Sequence, residues 1–379
     1  MHTLQYLSRC LFYNVPAIDD YRHFPAAPVC RHNSPVLHFA AAHDNSIGQQ
    51  VQWTYRGQPQ YGALQPLLQH TGTTACIVMQ HQKILLETYL NGYDRHSINT
   101  SFSIAKSMTS ALIGIALEAG HIHSIHDPVA RYIPAFGSHG RDTVTIAHLL
   151  QMCSGLRYRE GVMPWSDDAL IYYGTHLKEQ ALKSRLAEPP GSTYHYNNYN
   201  LLLLGMILET TTGQSVARLF QDQIWQRIGA EADASWSMDS RQSGYCKMES
   251  GINALAMDFV RFGNLYLQQG QVGQQQVVPP AWIAASVSPP AFQADSRKYL
   301  SRLSPPLCKW TSSAKGYYKY LWWGYQTDTR NFDYFALGAK GQLLYISPRK
   351  QAVIVRFGKQ WGKIDWWPDL LKQIADSLD

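Results

Sequence analysis

From Ala75 the chain reads Ala-Cys-Ile-Val-Met, then the polar Gln-His-Gln-Lys, then Ile84-Leu-Leu-Glu-Thr-Tyr-Leu. Two apolar runs across a short polar break predict a β-hairpin, ending at Asn91-Gly92. Directly behind it, Ser103-Ile-Ala-Lys106 opens an apolar segment free of Gly and Pro until Gly114, with Gly120 placed to end a helix. Apolar residues at helical spacing return over 146–152, 200–211, 216–227 and 254–269. Strand patterns reappear over 321–326, 342–347 and 352–357, and a last helix is predicted over 368–378.

Strands at both ends around a helical middle predict an α/β fold of the α+β type, with one antiparallel sheet built from both termini and flanked by helices. The expected division is a sheet domain from 71–120 plus 291–379 and a mostly helical lobe over 121–290. Residues 1–70 have mixed composition and scattered prolines, which suggests an arm or cap packed on the body.

Length and composition narrow this picture without changing it. At 379 residues, 45% hydrophobic and 16% charged, the chain can bury a sizeable core as one large or two joined domains. The net charge of +6 is spread out, with no basic block of the kind that grips phosphate backbones, so nucleic acid is not an expected partner. The six cysteines are scattered and form neither a zinc-ribbon spacing nor a disulfide framework. No window approaches 18 consecutive apolar residues and the first residues lack the apolar core of a signal peptide, so no stable membrane insertion is expected of the chain as given. His121, His123 and His126 come without a carboxylate or cysteine in a ligand pattern, and no metal is assigned.

The chemistry starts at Ser103 and Lys106. A serine hydroxyl is nearly inert at neutral pH and needs a base within hydrogen-bond reach, and residues three apart share a helix face. At a helix start, unpaired N–H groups also favour a developing oxyanion. The spacing alone is weak, because Ser312/Lys315 and Ser347/Lys350 repeat it. The former reads as a polar loop and the latter as a turn at Pro348, so only Ser103 opens a helix. An N-capping serine followed by a solvated lysine is the plain alternative.

Two further segments carry candidates. In Pro189-Pro-Gly-Ser-Thr-Tyr-His-Tyr-Asn-Asn198, turn signals put Tyr196 and Asn198 on an irregular stretch just ahead of a helix. A tyrosine beside a lysine ammonium has its phenolate favoured, and Asn198 offers an amide to lysine or substrate. In Tyr334-Phe-Ala-Leu-Gly-Ala-Lys-Gly-Gln342, small residues run into a strand, where backbone N–H groups can face a ligand.

Together and in this order, the segments resemble the serine hydrolases of the β-lactamase and penicillin-binding-protein type. More narrowly, the chain is similar to class C β-lactamase-like esterases and 6-aminohexanoate-dimer hydrolases. The resemblance runs from about Ala75 to the C-terminus. It rests on Ser101-Phe-Ser-Ile-Ala-Lys-Ser, Asp127-Pro-Val with Ile146-Ala-His-Leu-Leu-Gln-Met-Cys-Ser-Gly155, Pro190-Gly-Ser with Tyr196-Asn-Asn198, Asp258-Phe-Val-Arg-Phe-Gly263, and the Gly341-Gln342 strand.

The resemblance implies acyl transfer through an acyl-enzyme on Ser103, with Lys106 and Tyr196 relaying protons and the choice of base between them open. It implies oxyanion donors at the backbone N–H of Ser103 and of Ala339 after Gly338, and substrate contacts at Asn198 and Gln342. No metal or organic cofactor is implied. One departure matters: the family's third motif often begins with lysine or histidine, whereas here it reads Ala336-Leu337-Gly338. That cation helps hold a substrate carboxylate, so its loss favours a small-molecule ester or linear amide over a β-lactam or D-alanyl-D-alanine peptide. A non-enzymatic relative that binds peptide or cell-wall fragments would be expected to have lost Ser103, Lys106 or Tyr196, and all three are present. A Ser-His-Asp hydrolase would need a histidine, the last of which in the chain is His195, and an α/β-hydrolase would need a Gly-x-Ser-x-Gly elbow, which the sequence lacks.

Overall fold

Both ends of the chain feed one sheet. In the computed structural model, which describes residues 2–13, 15–291, 293–297, 315–328 and 330–379, its strands are β1 (Ala40–Ala41), β2 (Thr73–Gln80), β3 (Lys83–Tyr89), β4 (Gly316–Lys319), β5 (Trp322–Gln326), β6 (Phe332–Gly338), β7 (Gln342–Ser347) and β8 (Ala352–Gly358). They lie in the order β4-β5-β6-β7-β8-β2-β3-β1, antiparallel except for the short β1, which runs parallel to β3. The predicted hairpin is β2 and β3, joined through His81 and Gln82, both at positive φ as a two-residue primed turn requires. The seam between the two ends is β8 against β2, with Val353 opposite Met79.

Strands β2, β7 and β8 are buried at every position, which is why they read as continuous apolar runs. Helices α2 (Ile104–Glu118) and α5 (Ala256–Leu267) cover one face, and α6 (Trp367–Ser377) covers the other. Gly114 permits the first of these to pack, since a Cβ there would stand 2.2 Å from the Trp282 ring. The middle of the chain is rich in helices, among them α3 (Asp167–Tyr173) and α4 (Asn198–Thr212).

Three features depart from the periodicity. The predicted helix over 216–227 is a five-residue α-helix, Val216–Phe220, continued by a π-helical turn over Gln221–Trp225. The predicted helix over 254–269 begins only at Ala256, because Ile252–Leu255 is a strand. That strand belongs to a second sheet of four, in the order Ala26–Val29, Ala234–Ser237, Ile252–Leu255, Ile98–Thr100. Pairing between segments so far apart in sequence leaves no local period to read.

Residues 1–70 are woven into both sheets, through Ala26–Val29 in the small one and Ala40–Ala41 on the edge of the large one. They also supply a hairpin, Val51–Tyr55 with Gln58–Gly62, and helix α1 (His2–Tyr13), which packs on α3. Among the described residues no helix is long and apolar enough to cross a membrane, and Cys10, Cys30, Cys76, Cys153 and Cys246 are free thiols. Cys308 lies outside the described residues.

Candidate active site

Ser103 stands at the N-cap of α2, directly after Phe102, whose φ of 45° is unusual for a bulky residue. The strand before it, Ile98–Thr100, pairs with Ile252–Leu255, and the ladder continues as Ser101 N–H donates to Ile252 O at 2.8 Å. This pairing carries Glu249 to the start of α2. Lys106, one turn into the helix and 1% exposed, places Nζ 2.7 Å from Ser103 Oγ and donates to Glu249 O at 3.1 Å. Of the two rival Ser-x-x-Lys spacings, Ser312 lies outside the described residues. Ser347 closes β7 and donates to Asp333, while Lys350 reaches Leu378 O across the turn at Pro348.

Tyr196 arrives on the extended segment ahead of α4. His195 N–H donates to Met152 O, Gly191 N–H donates to Cys153 O, and Asn197 caps α4 by accepting from Tyr199 N–H. Gly155 is required here, since at φ +72° a Cβ would sit 2.1 Å from Glu188 O. The Tyr196 ring stacks on Trp323 of β5 at 5.8 Å, and Lys106 Nζ lies over its face, 4.9 Å from the centroid. Asn198 lines the same cleft, its Nδ2 donating to Tyr158 Oη at 2.8 Å. Its buried Oδ1 has no partner among the described residues.

The third segment comes from the end of β6. Gly338 packs so close to the start of α2 that a Cβ would stand 2.6 Å from Ser101 O, and this brings Ala339 to the cleft wall. Arg356, fully buried, secures the turn after it by donating to Lys340 O and Gly341 O while stacking on Trp367. Gln342 departs from the expectation of a substrate contact. It is fully buried, its amide donates to Gly358 O and its carbonyl accepts from Gly358 N–H, so it ties β7 to β8 and has no group to offer a ligand.

The resulting cleft, of about 550 Å³, is bordered by Ser103, Tyr196 and Ala339 and by three carboxylates, Glu160, Asp168 and Glu249. Burial pushes Lys106 down to about 7, against the pull of the Glu249 and Asp168 charges. Burial raises Tyr196 well above the ordinary tyrosine value, with a hydrogen bond to Ser103 acting the other way. This reverses the expectation that a neighbouring ammonium favours the phenolate, because desolvation of a buried phenol outweighs the cation lying on its ring face. Asp168 is likewise raised by burial, and it accepts from Tyr158 Oη and Gly161 N–H.

Glu249, Asp168 and Tyr158 are the site neighbours that periodicity did not reveal. Asp168 reads as an ordinary acidic residue in the first turn of a helix, and Glu249 lies 143 residues from Lys106 with no motif around it. Among the described residues no three His, Cys, Asp or Glu side chains gather as a metal-ligating group.

With this geometry in place, comparison with known proteins is informative. The sequence matches the beta-lactamase family over residues 62–374. It is 24% identical over 324 residues to 6-aminohexanoate-dimer hydrolase of Paenarthrobacter ureafaciens, covering 81% of this chain and 76% of that protein. A solved Bacillus anthracis structure, provisionally named a 6-aminohexanoate-dimer hydrolase, superposes with a TM-score of 0.74 at 23% identity, covering 94% of this chain and 91% of that one. EstCE1, a hydrolase with promiscuous acyltransferase activity, superposes with a TM-score of 0.60 at 14% identity over 82% of this chain and 95% of its own.

Proposed function

Because the chain belongs to the beta-lactamase family and is a hydrolase of that fold, we propose that it cleaves small esters or linear amides through an acyl-enzyme on Ser103. The single observation that carries this reading is the buried contact of 2.7 Å between Lys106 Nζ and Ser103 Oγ, beside the Tyr196 ring. With Lys106 held near 7, a large share of the side chain is a neutral amine at neutral pH, so Lys106 is the base. It takes the hydroxyl proton as Ser103 Oγ bonds to the carbonyl carbon. The carbonyl oxygen becomes an oxyanion held by the N–H groups of Ser103 and Ala339.

Tyr196 stays protonated and acts as a donor. Its hydroxyl passes a proton to the leaving oxygen or nitrogen as the carbonyl bond breaks, and the Lys106 ammonium restores it. In the second half water attacks the acyl-enzyme, Lys106 takes its proton and passes it to Ser103 Oγ as the serine leaves, which restores the neutral amine. Tyr196→Phe should lower kcat by about 10²–10³-fold with KM little changed. An unaltered kcat would remove Tyr196 from proton transfer.

Substrate class follows from charge. Ala336 and Leu337 bring no cation to the third motif, and the cleft borders carry Glu160, Asp168 and Glu249 with no arginine among the described lining residues. A substrate carboxylate would meet repulsion there, which disfavours β-lactams. One relative is named for a linear amide, 6-aminohexanoate dimer, which carries an ammonium as well as a carboxylate and so can offer the acidic border a cation. A chromogenic cephalosporin should therefore show kcat/KM about 10²-fold below that of a short p-nitrophenyl ester, the scale of a lost hydrogen bond to a charged group. Comparable efficiency on the two would overturn the ester and amide assignment and favour a β-lactamase or D-alanyl-D-alanine peptidase.

A further inference from the structure

Helix α1 is amphipathic in an inverted sense. Its inner side, Tyr6, Arg9, Cys10 and Tyr13, faces the body, where Arg9 donates to Tyr173 O, Gly174 O and Asp239 O and Tyr6 Oη donates to Pro164 O. Its outer side is apolar: Leu4 is 74% exposed, Leu11 and Phe12 76%, and Leu7 48%. Leu4, Leu7 and Leu11 fall at i, i+3 and i+7, one stripe of the helix. Val15, beyond the helix end, is also exposed, as are Val162, Met163 and Trp165 of the loop whose Pro164 O accepts from Tyr6. Soluble surfaces rarely gather so many large apolar side chains in one place.

The flank of α1 beside this stripe is basic. A groove bordered by Gln5, Ser8 and Phe12 of the helix is closed on its far side by Arg22, His23 and Arg241, with no acidic residue among the described residues lining it. Arg22, His23 and Arg241 are all exposed. The chain as a whole carries a net charge of +6.

We infer that this face docks on an anionic phospholipid bilayer, with α1 lying in the interfacial plane, its leucines and Phe12 in the acyl boundary, and Arg22 and Arg241 on lipid phosphates. Apolar area plus basic flanking residues is the composition that holds a helix at such a surface. A two-fold contact with a second copy fits less well, because the apolar stripe and its basic flank would have to be self-complementary. The docked face adjoins the cleft: Pro16 and Val162, next to the apolar stripe, also border the site of Ser103. Bound this way, the protein presents its cleft beside the bilayer, and no part of it crosses.

The test is co-sedimentation of the full chain with vesicles of phosphatidylglycerol and phosphatidylcholine, against phosphatidylcholine alone. Binding should favour the anionic vesicles and weaken as salt is raised. Leu4→Glu with Leu11→Glu should reduce the partition coefficient roughly tenfold or more, as expected for two lost apolar anchors. Arg22→Gln with Arg241→Gln should reduce it roughly tenfold on anionic vesicles alone. Both variants should hydrolyse a soluble ester at the parental rate, which also shows that they fold. Failure of the parent to bind anionic vesicles, or variants that bind as the parent does, would overturn the inference. So would a concentration-dependent dimer in sedimentation velocity that Leu4→Glu with Leu11→Glu dissociates, since the face would then belong to a second copy.

Discussion

A Ser103→Ala enzyme is expected to lose turnover of a short p-nitrophenyl ester by about 10⁴-fold or more, the scale seen when a nucleophile that works as a unit with its base is removed. The parent should take up a fluorophosphonate, with peptide mapping placing the adduct on Ser103. Two observations make the effect large. Ser103 Oγ borders the cleft, and its contact with Lys106 Nζ is made where Lys106 is 1% exposed, so water does not compete for the amine. Of the alternative serines, Ser347 is poorly placed: it is 1% exposed and already donates to Asp333. An adduct on Ser312 or Ser347, or substantial turnover by Ser103→Ala, would sink the mechanism.

The second large effect concerns Lys106. Lys106→Met should reduce kcat/KM by about 10³–10⁴-fold, since it removes the base while roughly keeping the side-chain volume. In the parent, the base must be neutral, so kcat/KM should rise with pH through a single ionisation near 7 and then level off. Tyr196, held protonated by burial, should impose no alkaline fall in the accessible range. Glu249→Gln supplies the control. The Glu249 charge stabilises the Lys106 ammonium, so removing it should move the rising limb to lower pH while the backbone carbonyl that accepts from Lys106 remains. A limb that stays put in Glu249→Gln would show that another group titrates.

Most of the site was legible because its parts are local. Ser103 and Lys106 sit three residues apart on a helix whose start and apolar run can be read directly, and Gly120 follows the helix in the left-handed conformation expected at its end. The hairpin and the closing strands were equally plain, since a sheet covered on both faces leaves unbroken apolar runs. The small sheet was not legible. It joins Ala26–Val29, Ala234–Ser237, Ile252–Leu255 and Ile98–Thr100, and its strands have too few residues to set up an alternation. Gln342 misled for a related reason: the family resemblance implied a substrate contact there, and only the register of β7 on β8 shows the side chain spent on Gly358.

Local spacing by itself singled out Ser103 as the candidate nucleophile, Lys106 as its partner, the helix that they open and the absence of a cation at Ala336-Leu337-Gly338, because each of these is a property of residues within a few positions of one another. What the tertiary structure decided is the electrostatics. Whether Lys106 is an ammonium or an amine depends on its burial against the distant Tyr196 and Glu249 and on the charges of Asp168 and Glu249. Whether Tyr196 gives or takes a proton depends on the same enclosure. Desolvation is set by everything packed around a group, and no window of sequence contains it.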